Sequence, residues 1–260
     1  MNYEVAIHQF QDPRVGITYG FLLHSPDQNK TLGVDAGFAQ PLLDLLKQKG
    51  WQLDELWITH HDFDHTDGLR EVKQATDCLV TGPKHQSKPI DGLDRLVEEG
   101  DELFFAGHQA SVIHTPGHTN DMLNYHFAGL GICFVGDVIF PLGCGRIKEG
   151  TPADMWTSLQ KLMRMPEETL LYSCHEYAMN NAGFALSVEP DNVAINAFYE
   201  HVKEQVDGGM PTVPTLLRDE LKANPFLRPH DPELRAALNV GPEMADVDVF
   251  AKLRAMKDQF

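Results

Sequence analysis

Short apolar runs that end in turns rich in His, Asp or Gly recur through the first two thirds of the chain. They lie at 31–35, 56–59, 111–114, 131–137 and 169–173. Short apolar runs bounded by turn residues are typical of β-strands. The pattern therefore predicts a sheet whose strands end in polar side chains.

Helical patterns separate some of these runs. In PLLDLLKQKG, residues 41–50, leucines recur at helical spacing and Gly50 provides a stop. Residues 152–165 begin with Pro152, which suits the first turn of a helix. Strands alternating with helices predict an α/β domain over residues 1–175.

The pattern changes after His175. Residues 192–206 form an amphipathic helix candidate, a Gly/Pro-rich stretch follows, and two more helices are expected near 232–239 and 246–257. We therefore expect a small helical domain over residues 176–260.

Composition limits where the protein acts. Of the 260 residues, 42% are hydrophobic, and no apolar run approaches the roughly 20 residues that a membrane span needs. The N-terminal sequence MNYEVAIHQFQDP lacks the basic start and apolar stretch of a secretion signal. Its four cysteines are far apart, which fits reduced thiols. We expect a cytoplasmic protein that does not bind membranes.

Charge argues against one class of partner. The formal net charge is -17, and no cluster of lysines and arginines offsets it. Because nucleic-acid backbones attract basic surfaces, nucleic-acid binding is not expected.

The segment from Thr59 to Gly68, THHDFDHTDG, places metal-capable side chains directly after a predicted strand. Imidazoles and carboxylates are ligands that zinc, iron and manganese accept. Alone, such a turn is often only a solvated loop. The four candidate ligands are His60, Asp62, Asp64 and His65.

Three later strand ends present further candidates. His118 follows a strand on a Pro-Gly turn, Asp137 ends the run 131–137, and His175 follows the run 169–173. Open α/β sheets gather such ends along one edge, where they build their sites. The sequence therefore predicts a metal site, with His61 facing away from the ligands or, as an alternative, supporting them from outside the site.

The order of these residues resembles the metallo-β-lactamase superfamily, whose pattern is H-x-H-x-D-H followed by His, Asp and His. The resemblance implies an αββα sandwich that holds two metal ions, with Asp137 bridging them. Zinc is expected, with iron or manganese as alternatives. One ion would take His60, Asp62 and His118, and the other Asp64, His65 and His175. Asp62 stands where the family usually has a histidine, which leaves the metal open.

Three further stretches resemble glyoxalase II, or hydroxyacylglutathione hydrolase: 136–156, 174–192 and 211–228. The resemblance implies hydrolysis of S-D-lactoylglutathione and related 2-hydroxyacylglutathione thioesters by a metal-bound hydroxide. Asp64 and Asp137 are then the catalytic candidates, no cysteine nucleophile is needed, and the C-terminal domain binds substrate.

The same resemblance implies contacts to the glutathione part of the substrate. Lys148 stands where the family commonly has an aromatic residue, so another thiol carrier stays open. A monomer or weak homo-oligomer is expected. The candidate contacts are Arg146, Lys148, Tyr177 and Arg228.

Other functions remain compatible with the sequence. An iron-dependent sulfur oxidoreductase, similar to persulfide dioxygenases, would use one iron. The ligands available for a second ion, Asp64, His65 and His175, argue against this function. Another thioesterase or lactonase of this fold, or a binding module without activity, is also open.

Overall fold

Two units make up residues 3–260, the range that the computed structural model describes. Unit 1 comprises residues 3–114 and Thr119–Gly136, and unit 2 comprises Thr115–His118 and Asp137–Phe260. The first two residues of the predicted N-terminal domain, and of the segment considered as a leader, lie outside the described range.

Unit 1 contains a six-stranded sheet in the order β1-β2-β3-β4-β5-β6. Strands β1 to β3 pair antiparallel, and β3 to β6 pair parallel. The strands are β1 (Glu4–Asp12), β2 (Gly16–Ser25), β3 (Lys30–Val34), β4 (Leu53–Trp57), β5 (Leu79–Pro83) and β6 (Arg95–Val97).

Unit 1 also contains four antiparallel strands in the order β10-β9-β8-β7. The ring of Trp57 on β4 lies 5.1 Å from that of Tyr125 and 5.5 Å from that of Phe127, so the two sheets pack face to face. The strands are β7 (Glu102–Phe105), β8 (His108–His114), β9 (Leu123–Phe127) and β10 (Ile132–Gly136).

Helices cover the other face of the six-stranded sheet. Leu42 and Leu46 of α1 (Ala39–Lys49) pack in one cluster with Leu53 and Leu56 of β4. The leucine spacing seen in the sequence is therefore the buried face of this helix. The remaining helices of unit 1 are α2 (Phe63–Thr66) and α3 (Leu69–Thr76).

Unit 2 is mainly helical. Its core includes Leu142, Ala182 and Ile195, whose small and branched side chains allow close helix packing. Its strands are β11 (Ile139–Phe140), β12 (Gly143–Cys144), β13 (Leu170–Ser173) and β14 (Thr215–Leu216). Its helices are α4 (Pro152–Leu162), α5 (Ala178–Val188), α6 (Val193–Asp207), α7 (Leu217–Ala223), α8 (Pro232–Ala237) and α9 (Asp246–Lys257).

The elements predicted from the sequence are confirmed. Gly50 ends α1 in a left-handed conformation, φ 70°, and α4 begins at Pro152 after a capping box between Thr151 and Asp154. Helix α6 covers all but the first residue of the range expected for it. A domain boundary at residue 175 stays a prediction. Among residues 3–260, no helix combines the length and apolarity needed to cross a membrane.

Candidate functional site

The first set of predicted ligands lies in unit 1, with His60 and Asp62 on the loop after β4 and Asp64 and His65 on the short helix α2. Tyr125 fixes the start of this loop, because its buried hydroxyl donates a 2.6 Å hydrogen bond to the carbonyl of Ile58. Burial raises the pKa of Tyr125 well above its usual value, so the hydroxyl stays a donor. The backbone that leads to His60 is thus held from the second sheet of the unit.

Asp35, directly after β3, holds two of the imidazoles. Its carboxylate accepts hydrogen bonds from the backbone N–H of Thr59 at 2.7 Å, from the Thr59 hydroxyl at 2.8 Å and from Nδ1 of His65 at 2.9 Å. Since the Thr59 hydroxyl donates to Asp35, it accepts from Nδ1 of His60 at 2.9 Å. Both rings are oriented through Nδ1, which makes Nε2 the atom suited to a metal.

The carboxylates of this set lie beside the rings. Oδ2 of Asp62 is 3.6 Å from Nε2 of His60, and Oδ2 of Asp64 is 3.8 Å from Nε2 of His65. The ring centroids of His60 and His65 are 4.0 Å apart. The structure thus brings together the four ligands predicted in unit 1.

Close backbone packing keeps Asp64 in place. A Cβ at Gly37 would lie 1.8 Å from the carbonyl oxygen of Asp64, so only glycine fits there. The segment after β3 therefore packs directly under the helical turn that carries Asp64.

The second set of predicted ligands lies in unit 2. Oδ2 of Asp137 is 3.3 Å from Nε2 of His118 and 3.2 Å from Nε2 of His175. All three side chains are buried. One carboxylate oxygen thus lies equally close to two imidazoles, and the structure brings together the three ligands predicted here.

Backbone groups orient His118. Its Nδ1 donates to the carbonyl of Arg146 at 2.8 Å, and its own carbonyl accepts from the N–H groups of Lys148 and Glu149, both at 3.2 Å. A Cβ at Gly145 would lie 1.9 Å from the carbonyl oxygen of Asp137. The backbone of residues 143–146 (GCGR) therefore packs against Asp137 and His118.

Tyr177 is a predicted substrate contact whose side chain packs on a predicted ligand. Its half-buried ring stacks on that of His175 at 4.9 Å and meets the ring of Phe140 edge-on at 5.3 Å. The side chains of Arg146 and Lys148 are exposed. A substrate contact for these three residues stays a prediction.

Arg228 is the fourth predicted contact, and carboxylates surround it. Its guanidinium donates to both oxygens of Glu189 at 2.9 and 3.0 Å and to Asp231 at 2.8 Å. These bonds raise the pKa of Arg228, although burial opposes them, and lower that of Asp231 against its own burial. Its substrate role stays a prediction.

The thiol of Cys144 is buried and stays protonated at neutral pH. It lies in unit 2, where desolvation raises its pKa to about 11. A protonated thiol is a poor nucleophile. This fits the expectation that no covalent cysteine step is needed.

Two carboxylates next to the ligands were missed in the sequence. Asp35 is the last residue of the run 31–35, and Asp121 bonds to the ring of His61. The strand-end position of Asp35 was a usable signal, whereas nothing in the sequence marks Asp121. The expectation that His61 faces away from the ligands is wrong, because its Nε2 lies 3.5 Å from Asp62.

Family models match both parts of the chain. The model described as "Metallo-beta-lactamase superfamily" matches residues 15–175, and "Hydroxyacylglutathione hydrolase C-terminus" matches residues 176–260. A hydroxyacylglutathione hydrolase of Maricaulis maris is 44% identical over 99% of each chain. The chain belongs to the hydroxyacylglutathione hydrolase family. A relative of the same name from Hyphomonas neptunium is 38% identical over 100% of each chain.

Solved structures agree on the fold of this hydroxyacylglutathione hydrolase family member. ETHE1 from Myxococcus xanthus matches with a TM-score of 0.64 and 21% identity, over 96% of this chain and 99% of that one. The BLEG-1 B3 metallo-beta-lactamase matches with a TM-score of 0.63 and 21% identity, over 86% and 100%. At this identity the likeness shows the metallo-β-lactamase fold alone, as predicted.

The donor chemistry of both sets fits metal binding. Buried imidazoles fixed through Nδ1, next to carboxylates, are the environment in which proteins hold zinc, iron or manganese. Each unit therefore carries histidine and aspartate side chains able to bind metals.

Proposed function

We propose that this protein hydrolyses 2-hydroxyacylglutathione thioesters, including S-D-lactoylglutathione, to the hydroxy acid and glutathione. The observation that carries the proposal is the full-length similarity, at 38–44% identity, to relatives named hydroxyacylglutathione hydrolase. The two ligand sets supply the residues that such a reaction needs.

The proposal includes two metal ions, held by the ligands that the family pattern implies. When bound, such ions lower the pKa of a water molecule and stabilise the oxyanion that forms on the thioester carbonyl. Asp137 would bridge the ions, which its position beside His118 and His175 supports. Zinc is the expected metal, with iron or manganese as alternatives.

Protein groups have three tasks in this reaction. Asp35 and the Arg146 carbonyl keep His65 and His118 in one orientation each, so the ligands need little rearrangement. Asp64 would bind metal and accept a hydrogen bond from the attacking water. Tyr177 would offer its hydroxyl to the glutathione amides, with its ring held by His175.

The decisive experiment is hydrolysis of S-D-lactoylglutathione by protein reconstituted separately with zinc, iron and manganese. Loss of thioester absorbance with multiple turnover is expected, together with measured metal content. No turnover with any of the three metals would overturn the proposal. Oxygen consumption with glutathione persulfide, without thioester hydrolysis, would instead favour the sulfur oxidoreductase considered from the sequence.

The remaining features of the proposal are a catalytic domain over residues 1–175, a substrate-binding domain over 176–260, a cytoplasmic location, and a monomer or weak homo-oligomer. Fractionation and sedimentation test the last two. Expression of residues 176–260 alone tests whether that domain folds independently.

A further inference from the structure

A second carboxylate–imidazole pair lies beside Asp62 in unit 1. Nδ1 of His61 is 2.9 and 3.0 Å from the two carboxylate oxygens of Asp121. Both residues are buried. A ring nitrogen that faces both oxygens of a carboxylate donates to it, so Asp121 fixes the orientation of the His61 ring.

That orientation directs the other ring nitrogen of His61 toward Asp62. Nε2 of His61 is 3.5 Å from Oδ1 of Asp62, while Oδ2 of Asp62 is 3.6 Å from Nε2 of His60. The Asp62 carboxylate therefore lies between two imidazoles, one on each oxygen. The Thr66 hydroxyl also donates to the backbone carbonyls of His61 and Asp62, at 3.3 and 3.0 Å.

We propose that His61 and Asp121 are positioning residues that set the carboxylate of Asp62 for metal binding. The inference rests on the proposed metal-dependent function and goes beyond it, because it explains the departure from the family pattern. An outer contact of this type usually orients a ligating histidine. Here the ligand that it orients is a carboxylate.

The arrangement also favours aspartate over histidine at position 62. The His61 ring has a carboxylate beside each of its two nitrogens, Asp121 at Nδ1 and Asp62 at Nε2. A histidine at position 62 would use one ring nitrogen to bind the metal. That nitrogen could not also accept a hydrogen bond from His61, whereas a carboxylate has a second oxygen for this contact. His61 and Asp121 thus suit the residue that this chain has.

The test measures metal binding rather than activity alone. In Asp121→Asn and His61→Gln variants of the full-length protein, zinc and manganese affinities are determined separately by competition with a chelator. Because loss of an outer contact typically weakens a metal site 10–100-fold, a loss of roughly that size is expected for one of the two ions. The control is Asp101→Asn, whose carboxylate accepts a hydrogen bond from the backbone of Glu98 in the same unit.

A double-variant comparison separates positioning from general support of the fold. In an Asp62→His background, Asp121→Asn should change the affinity by less than about 3-fold, because the carboxylate on which it acts is gone. An equal loss in both backgrounds would overturn the proposal, as would unchanged affinity of both single variants. Failure of both variants to fold would also overturn it, since the pair would then be structural.

The outcomes also distinguish this inference from the proposed function. If the unmodified protein binds none of the metals tested, the proposed function fails. If it binds two ions and the single variants bind them equally well, only the positioning role fails.

Discussion

The buried carboxylate of Glu220 should make the protein less stable as the pH rises through neutrality. Glu220 lies on α7 of unit 2 and is inaccessible to solvent. Its Oε2 accepts hydrogen bonds from the Leu142 N–H at 3.0 Å and from Asn224 at 2.9 Å. Burial outweighs these bonds and raises the pKa from 4.5 to about 7.

The sign follows from proton binding. Between pH 4.5 and about 7 the folded protein holds a proton on Glu220 that the unfolded chain has lost, so the free energy of unfolding falls as pH rises. Each pKa unit corresponds to about 1.4 kcal/mol, which gives a loss on the order of 3 kcal/mol across this range. Below pH 4.5 and above about 7, this group adds no further slope.

The substitution Glu220→Gln removes the titrating carboxyl group and keeps the shape of the side chain. The amide oxygen can still accept from Leu142 and Asn224, at a cost of about 1 kcal/mol for weaker bonds. The variant should therefore be slightly less stable than the unmodified protein at pH 4.5, and more stable by about 2 kcal/mol at pH 8.

Urea unfolding of both proteins at these two pH values measures the difference directly. Glu200→Gln, on the exposed surface of α6, controls for the loss of one negative charge. A stability difference between Glu220→Gln and the unmodified protein that does not change with pH would refute the reasoning.

Four further predictions concern stability and the site. Burial lowers the pKa of His8 to about 4, so the free energy of unfolding should fall by on the order of 3 kcal/mol as the pH drops from 6.5 to 4. Urea unfolding of His8→Met over the same pH range should show a smaller fall. Asp137→Ala should abolish hydrolysis and loosen both metals; two tightly held ions in this variant would contradict its bridging role. Arg228→Ala should raise KM at unchanged kcat and, by leaving Glu189 buried without its partner, cost about 3–5 kcal/mol of stability. Adding Glu189→Gln should restore stability but not KM. Asp62→His should raise the proportion of zinc relative to iron and manganese and lower the apparent pKa of hydrolysis; an unchanged metal proportion, together with an equal or lower pKa in the Asp62 protein, would refute this.

Sequence periodicity was sufficient where one physical signal defined an element. The leucines of α1, with Gly50 behind them, predicted a helix, because an apolar face and a stop are both local properties. The candidate ligands were equally visible, since they lie in short segments that follow predicted strands. These signals are visible because residues close in sequence produce them.

Contacts between distant segments could not be predicted in this way. Asp121 is 60 positions from His61, and no spacing rule connects them. His8 carries no motif, yet its ring fills the space beside Gly20, where a Cβ would lie 2.3 Å from it. In the sequence, Glu220 looks like any other helical glutamate. Only the structure shows that its carboxylate is buried and accepts a hydrogen bond from the backbone of Leu142.

These distant contacts divide into two classes with different consequences for function. Asp35, Asp121 and the Arg146 carbonyl each accept a hydrogen bond from Nδ1 of a histidine and fix its ring, so substituting either aspartate should change metal affinity more than folding. The carboxylate of Glu220 accepts from Leu142 and Asn224, the ring of His8 lies beside Gly20, and the burial of both groups opposes ionisation. Substituting them should change the pH range of stability and leave metal affinity unaltered. The two classes respond to different measurements because one controls ligand orientation and the other the cost of burying a charge.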